Sequence, residues 1–231
     1  MNEFQSESEA RFSTGFPSDK QWLALEKGFS RIFWGIFVSL VCFFGGVSVR
    51  FMGDFYLPAY VVGSVLLMSG LLALLRAGEL QKGWKKRVQY TMFLVALQIY
   101  LAPFLEWWRG RPGELYFIAH IIILVFVVML TLLSVNLIVA KIARVLSERS
   151  VFVEAVIYFI VTIVLQVVPF SIMLLSVMQA NRIGHSGIVF YLGELPSMLP
   201  KWTYIMGMIP FSLNLMLVWR IREKCYTGFL R

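Results

Sequence analysis

The chain has 231 residues, of which 59% are hydrophobic and only 15% charged, and a formal net charge of +8. A soluble domain is nearer half apolar and about a quarter charged, so this composition excludes a water-soluble globule and makes lipid the natural solvent. The positive charge is then a matter of membrane topology rather than of nucleic-acid binding.

Residues 1–28 form a polar segment. Within it Ser18-Asp-Lys-Gln21 fits a capping box, a side-chain cap followed three residues later by Gln. Trp22, Leu25, Phe29 and Ile32 then recur at three- and four-residue steps, which predicts one apolar helical face. The segment reads as a short interfacial helix running into the first span, an amphipathic lead-in with no partner of its own. No basic start and small-residue cleavage site precede the first apolar run, so the first span is expected to stay as an anchor.

Six apolar runs follow, Phe29–Val49, Leu57–Leu75, Val88–Leu105, Leu115–Val139, Val151–Met178 and Trp202–Trp219. Each is near the ~20 residues that cross ~30 Å of hydrocarbon, and backbone in lipid must satisfy its own hydrogen bonds, so each is expected to be helical. The expected fold is an all-α integral membrane protein, a six-helix transmembrane domain over 29–219 with a basic tail over 220–231. Sixteen of the 21 Lys and Arg fall on one side of that arrangement. The excess belongs in the cytoplasm, which puts both termini there, in a plasma or inner membrane. Trp84 and Trp219 mark the expected inner boundary, and Trp107, Trp108, Tyr116, Trp202 and Tyr204 the outer one, where an aromatic belt lies.

Small residues recur along one stripe of each of the first two spans: Gly35, Ser39, Cys42 and Gly46 in the first, Ala59, Gly63, Gly70, Ala73 and Ala77 in the second. Such stripes let helix backbones approach closely. They are expected to join the two spans to each other, with contact to another membrane protein or a second copy as the alternative. The two cysteines, Cys42 and Cys225, are far apart in context and read as free thiols.

Polar residues inside the spans are few. Gln98 and Gln166 lie near the centres of the third and fifth spans, at much the same depth, and are expected to form an interhelical amide pair. Asn136 and Asn214 precede Lys141 and Arg220 by five and six residues and so share a depth in the inner half, with Thr131, Ser134, Thr162 and Ser212 nearby in sequence. A buried amide left unpaired in lipid costs several kcal/mol, so these groups should face the bundle interior. They read first as interhelical glue and second as a binding cavity or pathway. No charged residue occupies a span centre; Glu106 and Glu154 stand at span edges. A proton relay within this chain is therefore not expected.

Pro103, Pro169 and Pro210 interrupt three spans and are expected to kink them. On the outer side Arg109, Arg111, Arg182 and His185 have the chemistry to hold a phosphate or lipid headgroup. His120 reads as a packed or interfacial residue. Neither metal-ligand spacing nor a nucleotide or hydrolase motif occurs, so no metal, cofactor or catalytic activity is expected. The expected role is that of a non-catalytic accessory subunit of a membrane assembly. A transporter or channel for a small solute or lipid is the alternative, and a lipid-headgroup-modifying enzyme comes third.

Overall fold

The structure is a computed structural model that describes residues 17–48, 56–111, 114–183 and 201–229. Side chains are described for these except 42–48, 56, 109, 115, 167–170, 172–183, 201–205 and 229. Among the described residues the chain is helical, without strands: α1 (Asp19–Ser48), α2 (Tyr56–Arg76), α3 (Trp84–Leu101), α4 (Pro103–Gly110), α5 (Leu115–Val145), α6 (Arg149–Ile183) and α7 (Lys201–Phe229). Four stretches, Leu57–Arg76, Trp84–Trp108, Tyr116–Val145 and Arg149–Gln166, are long and apolar enough to cross a membrane.

Each long helix packs on the one before and the one after it, and α7 packs on α1, so that α1, α2, α3, α5, α6 and α7 close a ring. A further contact between α5 and α7 runs across it. Neighbours run antiparallel, because partners step in opposite directions along the two helices. Gly28 and Gly35 meet Gly70 and Gly63, Thr91 and Gln98 meet Ser134 and Thr131, and Glu154 and Tyr158 meet Arg220 and Met216. The ring closes in the same sense: Trp22 lies against Gly228, Glu26 pairs with Arg222, and the Phe33 ring lies tilted against Trp219 at 5.2 Å between centroids. The start of α1 and the end of α7 therefore stand side by side. Outward faces are apolar, as Val62, Phe93, Phe126, Ile160 and Val164 illustrate, and a surface of that kind is stable only against lipid or another apolar face.

The expected short interfacial helix is not a separate element. Its residues form the first turns of the 30-residue α1, and its apolar face has a partner: Trp22, Leu25, Phe29 and Ile32 are all buried in the main core. The extensions of α2 and α7 at this end supply that partner, with Leu71, Leu74, Ile221 and Cys225 packed in the same cluster. The capping box forms its reciprocal half, the Ser18 N–H donating to Gln21 Oε1 at 2.9 Å. Gln21 also donates through Nε2 to the Ala77 carbonyl at 2.9 Å, so one side chain caps the start of α1 and the end of α2.

Trp84 departs from its expected place in an aromatic belt. It is fully buried, and its indole N–H donates to the Leu74 carbonyl at 3.3 Å. The Leu74 carbonyl also accepts from the Ala77 N–H at 3.3 Å, and a ring carrying one donor on a large apolar body can add a second bond at the helix end and fill the core together. Trp107, Tyr116 and Trp219 are exposed, as belt residues are. The α5–α6 turn is tight because Ser147 adopts φ 57°, which lets the Glu148 and Ser147 N–H groups reach back to Ala143 and Arg144. That is a Schellman closure with a serine in the left-handed position.

The small-residue stripes join α1 to α2. A Cβ at Gly35 would stand 2.8 Å from the Gly63 carbonyl oxygen, and one at Gly70 would stand 2.7 Å from that of Gly28. The backbones are therefore in contact at two places seven residues apart on each helix. Ser39 borders the first contact, 2.5 Å from a Cβ built at Gly63. Gly28, outside the stripe read from sequence, anchors the second. The Cys42 side chain and the surroundings of Gly46 lie outside what is described.

The prolines differ in effect. Pro103 ends α3: it has no N–H for the Ile99 carbonyl, which Ala102 takes instead, and the chain restarts as α4 with Pro103 at its first turn. Pro210 lies inside α7 and Pro169 inside α6, and both helices run through.

Candidate functional site

Buried polar side chains of α3, α5, α6 and α7 fall into two groups. The first bridges α3 and α5. Thr91 and Ser134 share a hydrogen bond, Gln98 donates through Nε2 to Thr131 Oγ1, and Thr131 in turn donates to the Val127 carbonyl. All four side chains are buried. Gln98 therefore binds a hydroxyl on α5, and the expected Gln98–Gln166 amide pair is replaced by this bridge. Helix α5 packs on both α3 and α6, so depth alone gave the wrong partner. This group is structural glue, since the amide and hydroxyls on the two helices answer one another.

The second group lies where α5, α6 and α7 pack on one another. Asn136 of α5, Thr162 of α6 and Asn214 of α7 are all 1% exposed or less. The pairing of Arg220 with Glu154 and of Met216 with Tyr158 fixes the register of α7 on α6 and sets Asn214 opposite residue 160. The stacking of Arg144 on Phe152 fixes α5 on α6 and sets Asn136 opposite the same residue. At ~1.5 Å per residue the three side chains lie within about 3 Å of one depth. Gln166, one turn beyond Thr162, is buried as well.

These three side chains have unmatched hydrogen-bonding capacity. Asn136 Nδ2 and Oδ1, Thr162 Oγ1 and Asn214 Oδ1 are buried with no partner among the described residues. Asn214 Nδ2 donates to the Pro210 carbonyl at 2.9 Å. A buried polar group with no partner costs roughly 1–3 kcal/mol, and the great majority in folded proteins have one. Three such side chains lie near one level, on three mutually packed helices. Asn136 offers both a donor and an acceptor, Thr162 a hydroxyl able to do either, and Asn214 an acceptor. Their complement is a small neutral group that itself both donates and accepts.

Ion pairs border this layer toward the end where the termini meet. Glu154 of α6 pairs through Oε1 with Arg220 of α7, and Glu148 pairs with Lys224 at 3.0 Å. Glu154 Oε2 is buried with no partner among the described residues. Glu154 stands in the second turn of α6, near the edge of the candidate span Arg149–Gln166, where the sequence also sets it. Its chemistry was legible there, whereas its partner 66 residues away was not.

Of the outer-face set, only the Arg111 side chain lies among the described residues. Arg111 is exposed at the end of α4, where its N–H caps the Trp107 and Trp108 carbonyls. The side chains of Arg109 and Arg182, and all of His185, lie outside the described residues. An open groove there is lined by Glu106, Trp107, Gly110, Arg111 and Phe117. His120 is packed: its ring stacks on Phe104 at 4.0 Å between centroids, and Nδ1 meets the Tyr116 carbonyl at 2.7 Å. Among the described residues no three His, Cys, Asp or Glu gather as metal ligands would. No family model, no curated protein and no solved structure matches this chain.

Proposed function

We propose that the chain crosses the membrane six times with both termini in the cytoplasm, and that it binds and passes a small neutral polar solute at the Asn136–Thr162–Asn214 layer. The antiparallel closure of α7 on α1 supports an even number of crossings, and the Lys/Arg excess at the end where the termini meet supports the orientation. The observation that carries the solute reading is the set of buried, unpartnered donors and acceptors on three packed helices. The small-residue stripes give less support to an accessory role than the sequence alone suggests, because Gly35, Ser39, Gly63 and Gly70 are occupied within the chain. The test is stopped-flow swelling of reconstituted vesicles with urea and glycerol as probes. Wild-type protein should speed swelling, and Asn136→Leu or Asn214→Leu should remove that gain while the protein stays monodisperse. Swelling equal to that of empty vesicles would overturn the reading.

One observation favours the accessory role as a second reading. The candidate span of α6 is 22% buried, against 39–44% for the other three, and it exposes Val153, Ile157, Ile160 and Val164 along one ridge. That ridge fits a neighbouring membrane helix as well as lipid. Native mass spectrometry after gentle extraction separates the two: a stoichiometric partner supports the accessory role, and a lone chain opposes it.

A further inference from the structure

We propose that the seam between α6 and α7 is a gate. When the Glu154–Arg220 pair parts, the half of α6 nearer the termini moves off α7 and admits ligand to the Asn136–Thr162–Asn214 layer. This rests on the reading that the layer receives a ligand, and it names the element that controls access.

The order of contacts along the seam is the first support. From the terminal end inward come Glu148–Lys224, Glu154–Arg220, Tyr158–Met216 and then the level of Thr162 and Asn214. Glu154 lies about 12 Å along the helix from Thr162, and Arg220 about 9 Å from Asn214. Any path down this seam meets the ion pair before it meets the layer.

The state of Glu154 is the second support. One carboxylate oxygen pairs with Arg220, and the other is buried without a partner among the described residues. A charge taken from water stabilises a fold only when its remaining lone pairs are satisfied. A carboxylate with one oxygen paired and the other buried without a partner is therefore poorly explained as glue.

The identity of the moving element is the third support. Helix α7 is held to α1 by Trp22 against Gly228, by Glu26–Arg222 and by the fully buried Cys225. Helix α6 is the least buried of the four candidate spans. Pro169 lacks the N–H that would bind the Leu165 carbonyl, which leaves α6 a point of flexure beyond the layer.

The experiment reads access rather than flux. Cys42 and Cys225 are replaced by Ala, Thr162→Cys is the reporter, and labelling by a charged, membrane-impermeant thiol reagent is timed in reconstituted vesicles. Glu154→Gln should speed labelling about tenfold by shifting the seam toward open. The swap Glu154→Arg with Arg220→Glu should return it to within about twofold of the parent, since paired changes restore a direct interaction. Should Glu154→Gln fail to fold, Arg220→Lys takes its place, with about a threefold rise expected from the lost fork geometry. An unchanged rate in the single variant overturns the gate, as does a swap that labels as fast as the single variant. So does an equal rise at a Val88→Cys reporter in the dry core, which would mean general loosening. Labelling needs no solute: an immobile seam with intact solute flux overturns the gate alone, and a mobile seam without flux overturns the solute reading alone.

Discussion

The α1–α2 seam and the α6–α7 seam are built on opposite principles. The first has no side chain to spare: glycine faces backbone at two crossings, and a single methyl would strike a carbonyl oxygen. Contact there is van der Waals, short-ranged and all-or-none, and in lipid that close approach replaces the missing hydrophobic drive. The second joins its helices through long polar side chains, two ion pairs and a Tyr–Met contact, above a level where polar atoms go unmatched. Electrostatic contacts act over longer distances and tolerate small movements, and their net worth is about 0–1 kcal/mol at partly exposed sites. A tight glycine seam has one geometry, whereas a polar seam can part and re-form. The molecule thus has a fixed side, formed by α1, α2 and α7, and a side able to respond, where α6 meets α7.

The largest effect is expected from breaking the fixed side. Gly70→Leu drives a branched side chain against the Gly28 carbonyl and Ile32, and neither backbone can withdraw without undoing the second crossing at Gly35 and Gly63. Overpacking costs roughly 1–3 kcal/mol where side chains give way, and the cost should reach the top of that range here. Thermal unfolding in detergent should show a large drop in Tm or no folded protein. A variant as stable as wild type would mean that the glycines do not set the approach of the helices.

The next effect concerns the closure of α7 on α1. Burial, with Glu26 nearby, pushes the Cys225 thiol up to about 12, from an ordinary value of 9.0. Between those values the folded state keeps a proton that the unfolded state releases, so stability is full below pH 9 and falls as pH rises toward 12. The loss should be about 1.4 kcal/mol per pH unit. Unfolding midpoints of wild type and Cys225→Ala, compared at pH 9 and pH 10, should diverge by about 1 kcal/mol, because the unfolded thiol is only half ionised at pH 9. Parallel slopes would mean that the thiol is open to water and the closure looser than described.

The comparison also shows what sequence can reveal. The glycine stripes, the Ser18–Gln21 cap and the common depth of Asn136 and Asn214 were legible, because they depend on helical periodicity and on distance from basic anchors, both local properties. Gln98's true partner was not: depth ranks candidates along the membrane normal but says nothing of which helix stands beside which. Trp84 misled for a related reason, since a tryptophan at a span end looks the same whether it faces headgroups or caps a neighbouring helix. Glu154 and Arg220 were each visible, but only the ring order of the helices places them together. The candidate site is thus a product of topology, and its residues read singly resemble ordinary glue.

A smaller effect distinguishes true glue from the unmatched layer. Gln98→Leu removes the bond to Thr131 but leaves that hydroxyl its own bond to the Val127 carbonyl. Destabilisation should be about 0.6–1 kcal/mol, the usual worth of an interhelical hydrogen bond in a membrane protein, read as a modest drop in unfolding midpoint. A cost several times larger would mean that the bridge belongs to a wider network than the one described.

The smallest change in stability, and the sharpest contrast, is expected at Asn136. Its amide has no partner among the described residues, so Asn136→Leu breaks no bond and removes a group whose burial is costly. Replacing an unmatched buried polar group by an apolar one of similar shape is neutral or stabilising, so the unfolding midpoint should hold or rise by the equivalent of about 1 kcal/mol. A residue acting as glue behaves in the opposite way, since its removal costs stability. A clear fall at Asn136 would therefore mean that its amide is matched in the folded protein and that the layer is one more interhelical bridge. Stability held while solute flux is lost is what a group reserved for a ligand should show, because its hydrogen bonds are made only when the ligand is there.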